Sequence, residues 1–82
     1  PNVVGVRRGS GGGPAIMFNG HTDVVPVTDE QARVWVGDPW GGERRDGRIW
    51  GRGASDMKGG LAAAIAAVRC IDQAGVTLDG DV

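Results

Sequence analysis

His21 is the only histidine in the chain, and it stands two residues before Asp23 in "GHTDVVP". In an extended segment, residues two apart point to the same side, about 6 to 7 Å apart along the backbone. An imidazole can then hold a cation through one nitrogen while a carboxylate faces the other. Such a carboxylate fixes the tautomer, orients the ring and raises its basicity as a ligand. Asp56 is the third candidate. It lies in "GRGASDMKGG" (Gly51 to Gly60), where it could be an oxygen ligand. Taken singly, each signal has an ordinary reading too: a His beside an Asp is a common pair, and an Asp among glycines is a common turn residue.

Glycine-rich stretches that open a helix also cradle phosphates, so that alternative is tested first. A dinucleotide fingerprint requires G-x-G-x-x-G, with the third glycine allowing helix and strand to approach. Counted from Gly51, the sixth position is Asp56, whose carboxylate would face a pyrophosphate and repel it. A P-loop requires G-x-x-x-x-G-K-[ST], but here Lys58 follows Met57 and precedes Gly59. Both patterns fail where their mechanism depends on them. Arg52 and Lys58 are expected to pair with neighbouring carboxylates or to cap backbone groups.

The elements that must position these residues follow from the pattern of the chain. "NVVGVRR" (Asn2 to Arg8) reads as a short strand, "GSGGGP" as a turn closing a hairpin, and "AIMFN" (Ala15 to Asn19) as a strand buried on both faces. "GHTDVVP" emerges where that strand leaves the sheet, at a carboxyl end, where ligands of open α/β sheets gather. Residues 28–45 read as a long, irregular, ordered loop with Trp35 and Trp40 as packing anchors. Asp46-Gly47 signals a turn, followed by a short strand Arg48 to Trp50. From Gly59 or Gly60 to Ala74 the pattern predicts a helix. Leu61, Ile65, Val68 and Ile71 form its apolar stripe, and Gly75 is its C-terminal stop. Cys70 lies within it as a small buried hydrophobe. Toward Val82 a further strand is expected. This order of elements indicates an α/β sheet domain.

Composition narrows the function classes. With 82 residues the chain can form one small domain at most. Nine basic and ten acidic residues are interspersed, with no basic stripe for nucleic acid. No apolar run approaches the roughly 18 residues of a membrane span, and no leader is visible. A single cysteine excludes an internal disulfide and suits a reducing compartment, so a cytoplasmic location is expected. The chain starts at Pro1 without Met and stops at Val82 inside strand-like sequence, which reads as a piece of a longer protein truncated at both ends.

From Ala15 to Val82, "GHTDVVP", "DPW" and "DGRIWGRGASDMKGG" leading into an alanine-rich helix stand in an order and spacing that resembles one family. It is the dinuclear zinc amidohydrolase and peptidase family of acetylornithine deacetylase, succinyl-diaminopimelate desuccinylase, aminoacylase and carboxypeptidase G2. The resemblance implies a zinc-exopeptidase-like catalytic domain with a mixed central sheet flanked by helices, of which residues 1–82 are part. It implies that His21 binds one metal ion and that Asp56 bridges two, with a cis peptide after it. Asp23 would be the catalytic carboxylate that supports the His21 imidazole. Zn²⁺ is the implied metal, with Co²⁺ or Mn²⁺ as substitutes, and a pair of ions would activate water and polarise an amide carbonyl. The implied substrate is an N-acyl amino acid or small peptide, and the implied partner a second copy, joined through a lid domain outside these residues.

The family's general base and a further ligand come from a Glu-Glu pair. The only glutamates here, Glu30 and Glu43, are unpaired and precede the helix. Residues 1–82 alone are therefore expected to bind metal weakly and to be inactive. An alternative from another class is a non-catalytic family member acting as a binding or regulatory protein; His21, Asp23 and Asp56 together weigh against it.

Overall fold

In the computed structural model, which describes residues 1–82, the chain divides into two units. Gly20–Ala62 form one, and Pro1–Asn19 with Ala63–Val82 form the other. Each has its own means of holding together.

The unit Gly20–Ala62 contains more regular structure than its sequence suggests. Helix α1 (Asp29–Val34) opens the stretch expected to be irregular. Thr28 Oγ1 accepts from the Gln31 N–H at 3.2 Å, and the Gln31 side-chain oxygen accepts from the Thr28 N–H at 3.1 Å. This reciprocal cap satisfies two backbone donors, and Asp29 and Glu30 add negative charge beside the helix N-terminus. The T-x-x-Q spacing carried that signal, but six residues are too few for a helical period to emerge.

Strand β1 (Glu43–Arg45) then pairs antiparallel with β2 (Arg48–Trp50), placing Glu43 opposite Trp50 and Arg45 opposite Arg48. The strand and turn expected at 46–50 are present, while β1 had been absorbed into the loop. Asp46 (φ 52°) and Gly47 (φ 71°) both have positive φ, the two-residue turn whose twist matches a hairpin. The Arg45 guanidinium lies 4.5 Å from the centre of the Trp50 ring, and the indole N–H donates to the Arg45 carbonyl at 3.3 Å. Trp35 and Trp50 are half-buried, as anchors should be. Trp40 is exposed, and Pro39 is the buried residue beside it.

In the other unit the expected hairpin is replaced by a different pairing. No backbone hydrogen bond joins residues 2–8 to 15–19. Instead, Arg7 and Val82 exchange both backbone bonds (2.7 and 3.0 Å), and the Ile16 N–H donates to the Asp81 carbonyl at 2.9 Å. The 78–82 segment thus takes the bonds that a hairpin would have used. Gly11, Gly12 and Gly13 all turn their N–H groups toward the Asp79 carbonyl. These contacts are too sparse to form regular strands, so the expected strands at 2–8, at 15–19 and near Val82 are extended segments only. Ile16, Met17 and Phe18, expected to be buried on both faces, are exposed, since nothing within residues 1–82 covers them.

Helix α2 (Gly59–Gln73) fulfils the helical prediction. It ends in a Schellman arrangement, with Val76 N–H donating to the Ile71 carbonyl, Gly75 N–H to that of Asp72, and Gly75 at φ 67°. Leu61, Ala64, Val68 and Ile71 are its half-buried side, while Ile65 and Cys70 are exposed. The sequence reading of Cys70 as buried is thus corrected: the polar Arg69–Cys70 side of α2 meets no other element. The only sheet is the two-stranded β1–β2 ribbon. The two helices and the ribbon agree with part of an α/β domain, while the expected mixed central sheet is not formed by these residues. No helix is long and apolar enough to cross a membrane.

Candidate functional site

His21, Asp23 and Asp56 all belong to the unit Gly20–Ala62, and the fold brings them together. Two backbone features accomplish this. Gly20 lies so close to the start of α2 that a Cβ there would stand 2.4 Å from Leu61 Cδ2 and 3.0 Å from Met57 Cε. A side chain there would require Leu61 and Met57 to shift. Gly53 turns the chain at φ 80°, and the winding Ala54–Lys58 follows, tied by Lys58 N–H to the Gly53 carbonyl at 3.0 Å. That winding is broken at Asp56 (φ −124°, ψ 99°) and Met57 (φ −135°, ψ 24°), joined by the cis peptide that the resemblance implied.

The geometry around the imidazole fixes its hydrogen-bonding roles. His21 Nδ1 lies 3.0 Å from the Asp23 backbone carbonyl, which can only accept. The ring proton therefore sits on Nδ1, and in the neutral ring Nε2 presents a lone pair. The Asp23 carboxylate is 3.4 Å from the same Nδ1. Asp23 thus faces the nitrogen expected for it, though its main-chain oxygen makes the shorter contact. On the opposite side, Nε2 faces Asp56 Oδ1, also at 3.4 Å.

In the neutral ring Nε2 and Asp56 Oδ1 are two acceptors that face each other at 3.4 Å. Their separation suits a common cation. Two donors each about 2.0 to 2.2 Å from one tetrahedral Zn²⁺ stand about 3.3 to 3.6 Å apart. An imidazole nitrogen with a carboxylate oxygen is also a donor set that zinc accepts. His21 and Asp56 could hold such an ion. Asp23 could not join them on it, because it occupies the far side of the ring. Accordingly, no group of three or more His, Cys, Asp or Glu side chains converges on one point. Both carboxylates are open to solvent, Asp23 91% and Asp56 89% exposed, so a cation or substrate can reach them.

The three residues line one cleft of about 280 Å³ together with Val24, Trp35, Arg52 and Ser55. Arg52 and Lys58 enter no ion pair, contrary to the expected pairing with nearby carboxylates. The Arg52 guanidinium rests instead 5.3 Å from the Trp35 ring centre, while its backbone N–H donates to Pro39 at 2.7 Å. Sequence spacing could not reveal this. Trp35 and Arg52 are brought together by the path of the chain through the hairpin between them.

The motifs that form this cleft lie within a segment that matches one known family. The pattern of peptidase family M20/M25/M40 matches residues 17–82, and the chain belongs to that family. It is similar to a succinyl-diaminopimelate desuccinylase of Rhodospirillum centenum, 64% identical over 56 residues, covering 68% of this chain and 14% of that protein. Proteins of the same description from Cereibacter sphaeroides and Maricaulis maris are 54% identical over 67 residues and 52% over 63. Those matches cover 82% and 77% of this chain, against 17% and 15% of the respective relatives. The chain therefore spans about one sixth of the length of the curated relatives it matches. No solved structure matches it.

Proposed function

We propose that the complete protein hydrolyses the amide bond of an N-acyl amino acid, an N-succinyl amino acid foremost, with the help of two bound Zn²⁺ ions. The observation that carries this reading is the pair of acceptors, His21 Nε2 and Asp56 Oδ1, facing each other at 3.4 Å. Family membership and the desuccinylase relatives supply the reaction class.

His21 would hold one ion, and Asp56 would lend an oxygen to each. Such ions supply a nucleophile at neutral pH and polarise the carbonyl under attack. The chain's own contribution is positional. The Asp23 carbonyl keeps the proton on Nδ1 so that Nε2 stays free, and the Asp23 carboxylate adds negative charge that strengthens the imidazole as a donor. The general base and the remaining ligands would come from residues beyond 1–82, as would a lid domain through which two copies could associate. On this reading residues 1–82 form part of a catalytic domain and are inactive alone, and the protein acts in the cytoplasm.

The test uses the complete protein stripped of metal with a chelator and then given Zn²⁺, Co²⁺ or Mn²⁺. Release of free amine from N-succinyl and N-acetyl amino acids should vanish on stripping and return on addition. Asp56→Ala should bind fewer than two ions per chain and stay at background in every metal. Full activity in the stripped protein, or two ions retained by Asp56→Ala with normal turnover, would sink the proposal.

A further inference from the structure

Arg52 is the one cation lining the cleft, and no carboxylate of residues 1–82 pairs with it. Its Nε is closed to water yet has no hydrogen-bond partner. A donor removed from water without an acceptor is costly, and native proteins rarely leave one so without a reason. Arg7 also leaves one buried N–H, on Nη1, without a partner, but its charge is matched by a carboxylate. Arg7 pairs with Asp72, Arg8 with Asp81, and Arg45 with Glu43. Asp23 and Asp56 line the same cleft, and Arg52 pairs with neither.

Its placement also limits what it can do. Trp35 supports the guanidinium, 5.3 Å from the ring centre, and the Arg52 backbone is tied to Pro39. A guanidinium resting on an indole keeps its charge, loses little further freedom on binding, and offers a planar fork that fits a carboxylate with two parallel hydrogen bonds. The cleft, about 280 Å³, lies at the lower end of the range for small-molecule sites. It has room for one arm of a substrate.

We propose that Arg52, held on Trp35, binds a carboxylate of the substrate in the cleft of His21, Asp23 and Asp56, and so selects acyl amino acids by charge. The inference rests on the hydrolase reading above. Two carboxylates could fill the role, one at the end of a dicarboxylic acyl arm such as succinyl, the other the α-carboxylate of the amino acid.

The experiment compares wild type, Arg52→Gln and Arg52→Lys of the complete, metal-loaded protein, with metal content measured for each. The substrates are an N-succinyl amino acid, its analogue with the acyl-arm carboxylate converted to an amide, and its analogue with the α-carboxylate so converted. Wild type should prefer whichever substrates carry the recognised carboxylate. In Arg52→Gln that preference, as a ratio of kcat/KM values, should collapse by about 10- to 100-fold, the loss of a charge-assisted hydrogen-bonded pair. The change should lie mainly in KM, and Arg52→Lys should restore only part, since an ammonium lacks the fork. The analogue that loses its disadvantage identifies the carboxylate.

An equal loss on all three substrates would make Arg52 a packing residue of Trp35 and overturn the proposal, as would no loss at all. If wild type cleaves none of them, the hydrolase reading fails first. Calorimetry with succinate and with an N-acetyl amino acid then decides alone: at least tenfold weaker binding of either to Arg52→Gln supports the carboxylate site, and equal binding of both overturns it.

Discussion

In Gly20–Ala62 most of the ordering hydrogen bonds join residues near one another in sequence. Thr28 and Gln31 cap α1, Asp46-Gly47 closes the hairpin, and the turn at Gly53 precedes Asp56 by three residues. The unit of the two chain ends is held differently. Its side-chain contacts, Arg7 with Asp72 and Arg8 with Asp81, join residues 65 and 73 apart, and its seven backbone bonds between residues 7–16 and 78–82 reach as far without forming regular strands. Neither unit has an apolar core. One is therefore specified largely by local backbone conformation, which needs no core, and the other by ion pairs and backbone bonds between segments far apart in the chain. Closing a long loop has an entropic cost that sparse polar contacts offset poorly. A site built on the first kind of unit can be shaped locally; extended segments of the second kind need neighbours to become a sheet.

The sharpest way to break that comparison is at Gly53. A valine there would have to adopt φ 80°, and its Cβ would stand 2.4 Å from Val24 Cγ1. A β-branched residue at positive φ is strained by about 1 to 3 kcal/mol before the clash is counted. Gly53→Val in the complete protein should lower the melting temperature, cut metal loading below two ions per chain and take activity to background. Unchanged metal content and activity would show that backbone conformation at Gly53 does not shape the site.

A smaller effect is expected at Asp23. Supporting groups behind a ligand histidine contribute about 10- to 100-fold, and Asp23→Asn keeps the backbone carbonyl that holds the Nδ1 proton. The fall in kcat should therefore be close to tenfold, with metal content retained. A loss near a hundredfold would mean that the carboxylate, and not the carbonyl, orients the ring.

The same contrast explains what was legible in the sequence. Gly75 as the end of α2 and the Asp46-Gly47 turn are local signals, and the structure carries both. Helix α1 was legible in T-x-x-Q but too short for its period to show. The strands at 2–8 and 15–19 were read from their apolar residues, which report an affinity for burial without saying what does the burying. Here Val3, Val4, Ile16, Met17 and Phe18 find nothing to cover them. Pairing of Arg7 with Val82, and of Trp35 with Arg52, depends on tertiary paths that spacing does not encode.

The last and smallest effect concerns Asp81, in the unit of the two chain ends. Its carboxyl is kept below the ordinary value of 3.8, first by the Gly9 backbone N–H at 2.9 Å and then by Arg8. Because the folded form prefers the ionised carboxylate, the contribution is fully present above the unfolded value. It is lost as pH falls below 3.8 through the folded value. A titration of the Asp81 carboxyl by NMR should have its midpoint below 3.8, with the Gly9 amide following the same curve. High salt should weaken the Arg8 part, since Arg8 is 79% exposed and its charge is screened, but spare most of the Gly9 part. A midpoint at 3.8, or a shift abolished by salt, would mean that the Gly9 N–H does not hold the Asp81 carboxylate and that the backbone bonds such as Arg7 with Val82 join the chain ends without it.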